Sequence, residues 1–211
     1  MPPFLVGAQG DSVMTGACFI RNLASAHFAS VRAALDRIDL DAVERVANLL
    51  RRARDSQATV YIAGNGGSAS TASHWVNDLG KATKRSGRLP IRAMCLSDNI
   101  SWFSALGNDE GYERVFAGQL ENFAEPNDVM IVITASGNSV NLIEAVELGH
   151  KRGVTTVGLL GFDGGKLKNL VNEMIWVRSE KGAYELVEDA HSVISHAITR
   201  CLVADHSLDI R

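Results

Sequence analysis

Two short polar loops in the sequence combine glycine with small hydrogen-bond donors. The first is Gly64-Asn-Gly-Gly-Ser68, and the second is Thr134-Ala-Ser-Gly-Asn-Ser139. Glycine lets the backbone approach a ligand closely, while serine, threonine and asparagine offer uncharged donors. Where such a loop leads into a helix, the unsatisfied N–H groups and the helix dipole favour an anion. The two loops therefore predict a phosphate site that needs little lysine or arginine.

Two further pairs of side chains could move protons. His74 and Asp78 are four residues apart, so both lie on one face of the helix that would leave the first loop. Glu188 and His196 are eight residues apart, which on one helix separates them by about 80° and about 12 Å. A carboxylate and an imidazole can act as base and acid in a proton transfer. Because this second pair is so widely spaced, we expect its helix to serve two sites, or opposite ends of one, between subunits.

Neither loop has the full pattern of a nucleotide site. No Gly-Lys-Ser/Thr follows the glycines, which excludes a P-loop. Gly64 and Gly66 are followed by Ala69 where G-x-G-x-x-G has its third glycine, and a variant ending in alanine would accept that. Dinucleotide binding therefore stays an alternative. Ordinary strand-to-helix turns capped by serine are the structural alternative for either loop taken alone.

The composition is that of an ordinary globular domain. The chain has 211 residues, of which 46% are hydrophobic and 21% charged, and its net charge of −3 lacks the basic field of a nucleic-acid-binding protein. Its three cysteines form no C-x-x-C pair, so we expect free thiols and no disulfide or thiolate metal site. We find neither a secretory signal nor an apolar run long enough to span a membrane. We therefore expect a cytoplasmic protein without nucleic-acid or membrane partners.

Strand and helix patterns alternate from residue 59 onwards. Apolar or β-branched segments predict strands at 59–63, 91–96, 128–134, 155–160 and 174–178. Helical patterns between and after them lie at 69–84, 98–106, 110–124, 140–151 and 184–204. Strands that are apolar on both faces and alternate with helices indicate a parallel sheet covered on both sides. In such a sheet ligands bind beyond the carboxyl ends of the strands, which is where both glycine loops fall.

The first part of the sequence lies outside this alternation. Residues 1–15 mix Pro, Gly and Ser without periodicity and predict a flexible tail. Apolar residues at helical spacing predict one helix over 17–38 and a second that starts after Asp39 or Asp41. The predicted fold is α/β: a single doubly wound domain over residues 16–211, with a five-stranded parallel sheet flanked by helices and an N-terminal helical arm. The apolar stripes of that arm could pack on the domain or on a second copy of it.

Taken together, these motifs resemble the sugar isomerase (SIS) domain family and its phosphoheptose isomerase branch. The residues that carry the resemblance are Gly64-Asn-Gly-Gly-Ser68, His74 with Asp78, Gly107-Asn-Asp109, Ser136-Gly-Asn-Ser139, Asp163-Gly-Gly165 and Glu188 through His196. They extend over most of the chain, in the family's order. The resemblance implies an aldose–ketose isomerase for a phosphorylated sugar, most closely sedoheptulose 7-phosphate. It also implies a homotetramer, with the N-terminal helices in the interface.

The resemblance further implies a role for individual residues. Asp78 would be the catalytic base and His196 the catalytic acid. The substrate-binding positions would be Asn65, Gly66, Gly67, Ser68, Asn108, Asp109, Thr134, Ala135, Ser136, Ser139 and Glu188. An enediol mechanism can run on the acid–base pair alone, so no cofactor is required. Some relatives bind zinc at the positions of His74, Asp78, Glu188 and His196, and two histidines with two carboxylates suit that metal. A zinc site therefore stays open.

The chain departs from the family pattern at four positions. Asp78 and Glu188 stand where Glu and Gln are usual, and Thr134 and Ala135 replace the Ser and Thr of the phosphate loop. These changes leave the sugar open, so an isomerase for another sugar phosphate is one alternative. A non-catalytic binder is the other, since a similar branch associates with the bacterial replication initiator and other members are sensory modules. The carboxylate kept at Asp78 favours the enzyme.

Overall fold

The computed structural model describes residues 16–84 and 89–204. The tail predicted for residues 1–15 and the last seven residues of the predicted domain lie outside the described residues. The strands are β1 (Thr59–Gly64), β2 (Arg92–Cys95), β3 (Val129–Thr134), β4 (Thr155–Leu160) and β5 (Glu173–Trp176). The helices are α1 (Gly16–Leu35), α2 (Leu40–Ser56), α3 (Gly67–Asn77), α4 (Ile100–Asp109), α5 (Ala117–Phe123), α6 (Val140–Lys151) and α7 (Tyr184–Ala204). No helix in these two ranges is both long and apolar enough to cross a lipid bilayer.

The five strands form one parallel sheet in the order β2-β1-β3-β4-β5. The central strand β3 has the sequence Val-Met-Ile-Val-Ile-Thr, and all six residues are buried. Such a strand needs apolar cover on both faces, which only helices on both sides can supply. The predicted fold class, with its five-stranded parallel sheet and flanking helices, is confirmed.

Side chains on the two faces of the sheet belong to two separate cores. Ile62 and Ile131 point into a core that is closed by α2, α3 and α7. Their chain neighbours Tyr61 and Met130 point into the opposite core, which is closed by α4, α5 and α6. This alternation follows from the two-residue period of a strand.

The loops after β1 and β3 lie side by side where the order of the strands reverses. β1 and β3 are neighbours in the sheet, with Val60 paired to Val129 and Gly64 to Ile133. From this point β1 continues into α3 on one face, while β3 continues into α6 on the other. A crevice between diverging helices at such a switch point is the usual ligand site of an open α/β sheet. The fold thus places the two glycine loops together.

The N-terminal arm consists of α1 and α2. Asp39 caps α2, because its carboxylate accepts hydrogen bonds from the backbone N–H of Asp41 at 2.9 Å and of Ala42 at 3.2 Å. α2 packs on the sheet and α7, whereas α1 packs mainly along α7. Four large apolar side chains of α1 remain 56–68% exposed: Phe19, Ile20, Leu23 and Phe28. The apolar side chains of the arm are therefore only partly buried against the rest of the domain.

Two predicted helices have a different internal structure. The helix expected over 69–84 is α3 followed by a π-helical turn at Asp78–Ala82. The helix expected over 110–124 is a short 3₁₀ helix at Tyr112–Arg114 followed by α5, because Gly111 turns the chain with φ 106°. π-turns insert one residue into a helix and are frequent at functional sites. Periodicity in the sequence does not distinguish such a turn from a continuous helix.

Candidate active site

The first loop brings backbone amides to the start of α3. β1 ends at Gly64, and Gly66 takes φ 55° and ψ −125° before α3 begins at Gly67. No side chain caps α3. The N–H groups of Ser68 and Ala69 donate to the carbonyls of Asn65 and Gly66 at 3.0 Å each, so the N–H groups of Gly66 and Gly67, which make no hydrogen bond within the described residues, are the ones open at the sheet edge. Asn65, Gly66 and Gly67 are at least partly exposed, but Ser68 is only 5% exposed and lies beneath the loop. The accessible donors of this loop are thus its first three predicted residues.

The second loop uses two of its hydroxyl oxygens as internal acceptors, since the Ser136 oxygen accepts from the N–H of Asn138 at 3.3 Å, and it leaves two hydroxyls accessible. The Thr134 hydroxyl oxygen accepts a hydrogen bond from the N–H of Gly137 at 3.2 Å, and Thr134 is buried. Ala135 is buried beside it. Ser136 and Ser139 are half-buried, and the Ser139 hydroxyl does not cap α6 although it stands at the N-cap position. Ser136 and Ser139 are therefore the hydroxyls of this loop that a ligand could reach.

The Asp163-Gly-Gly165 segment supports the second loop from behind. Gly137 has a φ of 64°, and a Cβ on it would collide with the backbone of Gly164. A Cβ on Gly165 would likewise collide with the backbone of Ser136 and Gly137. The N–H of Leu167 donates to the Gly137 carbonyl at 3.0 Å. Glycine is required at these positions because the two backbones touch.

Helices α3 and α7 lie side by side and run in the same direction from the first loop. At the start of α3, the Glu188 carboxylate lies so close to Gly67 that a Cβ there would collide with it. One turn further on, the Thr71 and Ser192 hydroxyls are 3.5 Å apart. Glu188 and Ser192 contact successive turns of α3. His196, one turn further along α7, is therefore expected to contact the end of α3.

At that end, two imidazoles meet one carboxylate. The Nε2 atoms of His74 and His196 are 3.3 Å apart, and they lie 3.6 and 3.5 Å from Oδ2 of Asp78. The Asp78 side chain is 19% exposed, while those of His74 and His196 are 59% and 50% exposed. Asp78 opens the π-turn, and its carboxylate reaches both rings although it is one methylene shorter than glutamate. The structure thus brings together the predicted base, the predicted acid and His74.

The spacing of these three groups also fits a zinc ion. Tetrahedral zinc with bonds of about 2.0–2.2 Å holds its ligand atoms about 3.3–3.6 Å from one another. The separations of 3.3, 3.5 and 3.6 Å among the two Nε2 atoms and Oδ2 are of that size. Three protein ligands would leave one position for substrate or water. Glu188, the fourth predicted ligand, does not belong to this cluster, because its carboxylate lies at Gly67 near the opposite end of α3.

The predicted sugar-contacting pair Asn108 and Asp109 makes no hydrogen bond to the loops or to the acid–base cluster within the described residues. These residues are exposed at the end of α4, and Nδ2 of Asn108 donates to Oδ1 of Asp109 at 2.6 Å. Neither makes a hydrogen bond to another predicted site residue within the described ranges. The nearby Tyr112 does reach the first loop, where its hydroxyl donates to Oδ1 of Asn65 at 2.8 Å.

Sequence reasoning missed two residues that contact the first loop, Tyr112 and Asn141. Asn141 lies in the first turn of α6, is 1% exposed, and exchanges two hydrogen bonds of 3.0 Å with Asn65. The signal for Asn141 was its position two residues after Ser139, at the start of the helix that leaves the second loop. Tyr112 stands three residues after the Asn108-Asp109 pair, but nothing in its spacing indicates that it turns toward Asn65.

A third histidine of the region, His191, is fully buried on α7. Burial lowers the pKa of His191 to about 4, because a charged imidazole would lose its hydration, and the backbone of Leu160 opposes the change only in part. His191 is therefore neutral at physiological pH. It lies outside the cluster of Asp78, His74 and His196.

Comparison with known proteins identifies the family. Residues 26–161 match the SIS domain. The chain is 40% identical over 153 residues to a phosphoheptose isomerase of Nitratiruptor sp., covering 72% of this chain and 79% of that one. It is 38% identical over 166 residues to the lincomycin biosynthesis protein LmbN of Streptomyces lincolnensis, covering 75% of this chain and 60% of that one.

A solved structure gives the same result. The phosphoheptose isomerase GmhA from Neisseria gonorrhoeae is similar with a TM-score of 0.79 and 28% identity, covering 87% of this chain and 98% of that one. The fold, the order of the motifs and this similarity over nearly the whole of a known structure agree. The chain belongs to the SIS domain family, in the group that contains the phosphoheptose isomerases.

Proposed function

We propose that this aldose–ketose isomerase converts sedoheptulose 7-phosphate into an aldoheptose 7-phosphate, with Asp78 as the base and His196 as the acid. The observation that carries the proposal is the meeting of one carboxylate and two imidazoles within 3.6 Å at the end of α3. These are the group types that carbon and oxygen proton transfers require. The similarity to phosphoheptose isomerases of several organisms supports the choice of sugar.

The reaction moves one proton between adjacent carbons and one between their oxygens. Asp78 removes the proton from the hydroxyl-bearing carbon next to the ketone, while His196 donates a proton to the carbonyl oxygen, which gives a neutral enediol. Asp78 then returns its proton to the former carbonyl carbon, and His196 takes the proton from the other oxygen. Both residues end as they began, so the step needs no oxidant or reductant.

The phosphate end of the substrate would be held at the two loops. The N–H groups of Gly66 and Gly67 and the Ser136 and Ser139 hydroxyls offer donors to a dianion, while the Glu188 carboxylate beside Gly67 adds a negative charge at the same point. From Gly67 to His74, seven residues of helix correspond to about 10 Å. That separation suits a long sugar phosphate whose phosphate and carbonyl lie at opposite ends of the molecule. It supports a heptose phosphate over a much shorter sugar.

Zinc fits this site as a further participant. His74, Asp78 and His196 would hold the ion, since their ligand atoms already have tetrahedral spacing. When bound, zinc would polarise the substrate oxygens as a Lewis acid. Because Oδ2 of Asp78 and Nε2 of His196 would then bind the metal, the proposed proton transfers by these two atoms belong to the metal-free site.

We further propose a cytoplasmic homotetramer whose active sites lie at subunit interfaces. The exposed apolar side chains of α1 support association, because a patch of this kind is rarely left in water. Asn108 and Asp109 are exposed and make no hydrogen bond to the acid–base cluster within the described residues, as expected if they complete the site of a neighbouring copy. A monomeric variant that keeps full activity would contradict the shared site.

The proposal is tested by incubating the protein with sedoheptulose 7-phosphate and resolving any aldose phosphate by NMR. Asp78→Asn and His196→Ala should each lower kcat by about 10²–10⁴-fold, the usual contribution of a positioned acid or base. Asp36→Asn and His150→Ala make the same chemical changes at exposed positions outside the site and should leave kcat unchanged. Wild-type turnover by Asp78→Asn would refute the assignment.

A second candidate is an isomerase for another sugar phosphate. LmbN, whose name refers to lincomycin biosynthesis, is 38% identical to this chain, nearly as similar as the phosphoheptose isomerases. The carboxylates of Asp78 and Glu188 in place of the usual longer or neutral side chains also favour a different sugar. Competition assays with pentose, hexose, heptose and octose phosphates would separate the two candidates by their kcat/KM values.

A further inference from the structure

Asn141 connects the two loops across the crevice. Its side chain donates to Oδ1 of Asn65 at 3.0 Å and accepts from Nδ2 of Asn65 at the same distance, so the two amides form a closed pair. Asn65 belongs to the loop after β1, whereas Asn141 belongs to the first turn of α6 after β3. The pair therefore fixes the loops relative to each other at the point where α3 and α6 diverge.

The pair is costly to break because Asn141 is buried. Only 1% of Asn141 is exposed, so water cannot replace a lost hydrogen bond there. Asn65 is only partly buried, and it receives a second bond from the Tyr112 hydroxyl at 2.8 Å. Oδ1 of Asn65 thus accepts two hydrogen bonds, which holds the amide in a single orientation.

This arrangement leaves Asn65 with one unused donor. One hydrogen of its Nδ2 is given to Asn141, and the other has no partner in the ranges that the structure describes. Because its oxygen already accepts two bonds, the amide cannot turn that oxygen toward a ligand without losing both. Hydrogen bonds accepted at the oxygen also strengthen donation from the nitrogen. Asn65 is thereby held with an N–H group, and not its oxygen, available to a ligand. An anionic ligand requires such a donor.

We propose that Asn141 is a positioning residue for phosphosugar recognition, which acts through Asn65 by holding its free N–H ready for the ligand's oxygens. Tyr112, which follows α4, supports the same orientation by donating its hydroxyl to Oδ1 of Asn65. This inference rests on the proposed function, since it takes a phosphosugar as the ligand of the loops. Asn141 itself does not touch the ligand.

A double-mutant cycle tests the dependence of Asn141 on Asn65. Binding of sedoheptulose 7-phosphate is measured by calorimetry in the Asp78→Asn background, which prevents turnover. Asn65→Ala and Asn141→Ala should each weaken binding by about tenfold. The variant with both changes should bind no more weakly than Asn65→Ala, because Asn141 has nothing left to position. The inference would be overturned if the double variant bound about a hundredfold more weakly, which is the product of the two single effects. It would also be overturned if Asn141→Ala bound as well as the protein without that change.

Two further measurements separate positioning from folding. Tyr112→Phe removes only an exposed hydroxyl, so the protein keeps its fold; it should weaken binding a few-fold, and not at all when Asn65 is already alanine. In the enzyme that keeps Asp78, Asn141→Ala should raise KM and leave kcat nearly unchanged, whereas general destabilisation would lower the active fraction and hence kcat. An equal fall in kcat with constant KM would contradict positioning.

A crystal structure of the Asn141→Ala variant without ligand tests the positioning of Asn65 independently of the substrate. In a crystal of Asn141→Ala, the Asn65 side chain should leave the position that it occupies in the wild-type protein. If Asn65 keeps that position, the inference fails even where sedoheptulose 7-phosphate is isomerised normally. If the wild-type protein isomerises no sugar phosphate but Asn65 moves as expected, the proposed function fails and the positioning by Asn141 stands.

Discussion

His191 should make the stability of the protein depend on pH between 7 and 5. The residue is fully buried on α7, and its two ring nitrogens make no hydrogen bond of normal geometry within the described chain. Burial lowers its pKa from 6.5 to about 4. In that window the unfolded chain binds a proton at His191 and the folded protein does not. Falling pH therefore favours unfolding, and stability rises again as the pH is raised.

The size of this effect follows from the two pKa values. With 6.5 in the unfolded state and about 4 in the folded state, His191 costs about 2 kcal/mol of stability on going from pH 7 to pH 5. His191→Leu has no such proton to bind, so it should lose about 2 kcal/mol less than the wild-type protein over the same range. Carboxylates that also titrate there contribute equally to both proteins and cancel in the comparison.

The measurement is urea unfolding at a series of pH values and a fixed protein concentration, with free energies from linear extrapolation. His150→Leu is the control, because it makes the same change at an exposed histidine instead of a buried one. Parallel curves for the wild-type protein and His191→Leu would refute the reasoning. They would mean that the folded protein accepts a proton at His191, for example by letting water reach the ring.

Three other perturbations follow from the geometry of the site. Gly67→Ala should lower activity, since its Cβ would displace the Glu188 carboxylate, and adding Glu188→Ala should restore part of it in a kinetic assay. Gly165→Ala should raise KM for the sugar phosphate at least about tenfold, because its Cβ would push against the backbone of Ser136 and φ is 54° there. His74→Ala should lower zinc affinity by about 10-fold or more, measured by competition with a chelator, if the three-ligand site is correct.

The sequence was sufficient for the sheet and for the position of the loops. A strand with five consecutive apolar residues, such as Val129–Thr134, is typical of the middle of a covered parallel sheet, and the loop that follows it must then lie at the carboxyl edge. The pairing of His74 with Asp78 also follows from helical spacing alone. These features depend on periodicity, which a single sequence displays directly.

Features that depend on contact between distant segments could not be derived in this way. The distance between Glu188 and His196 along a helix can be calculated from the sequence. The sequence does not show that α7 lies parallel to α3, so that Glu188 reaches the start of α3 and His196 reaches its end. The same applies to the amide pair of Asn65 and Asn141, which lie 76 residues apart. The π-turn at Asp78–Ala82 was missed because it changes the hydrogen bonding of a helix without changing its apolar pattern.

The placement of the two proposed functions on α3 has an electrostatic reason. The start of the helix carries partial positive charge, so it would favour the proposed phosphate near Gly66 and Gly67, against the negative charge of the Glu188 carboxylate beside Gly67. His74 lies in the last turn of α3 beside Asp78, where the helix continues directly into the π-turn. The negative end of the helix dipole therefore lies beyond the cluster, and it is the Asp78 carboxylate that would favour a metal cation there. One helix can therefore offer N–H groups to the anionic end of a sugar phosphate and hold the proposed proton-transfer groups about 10 Å away.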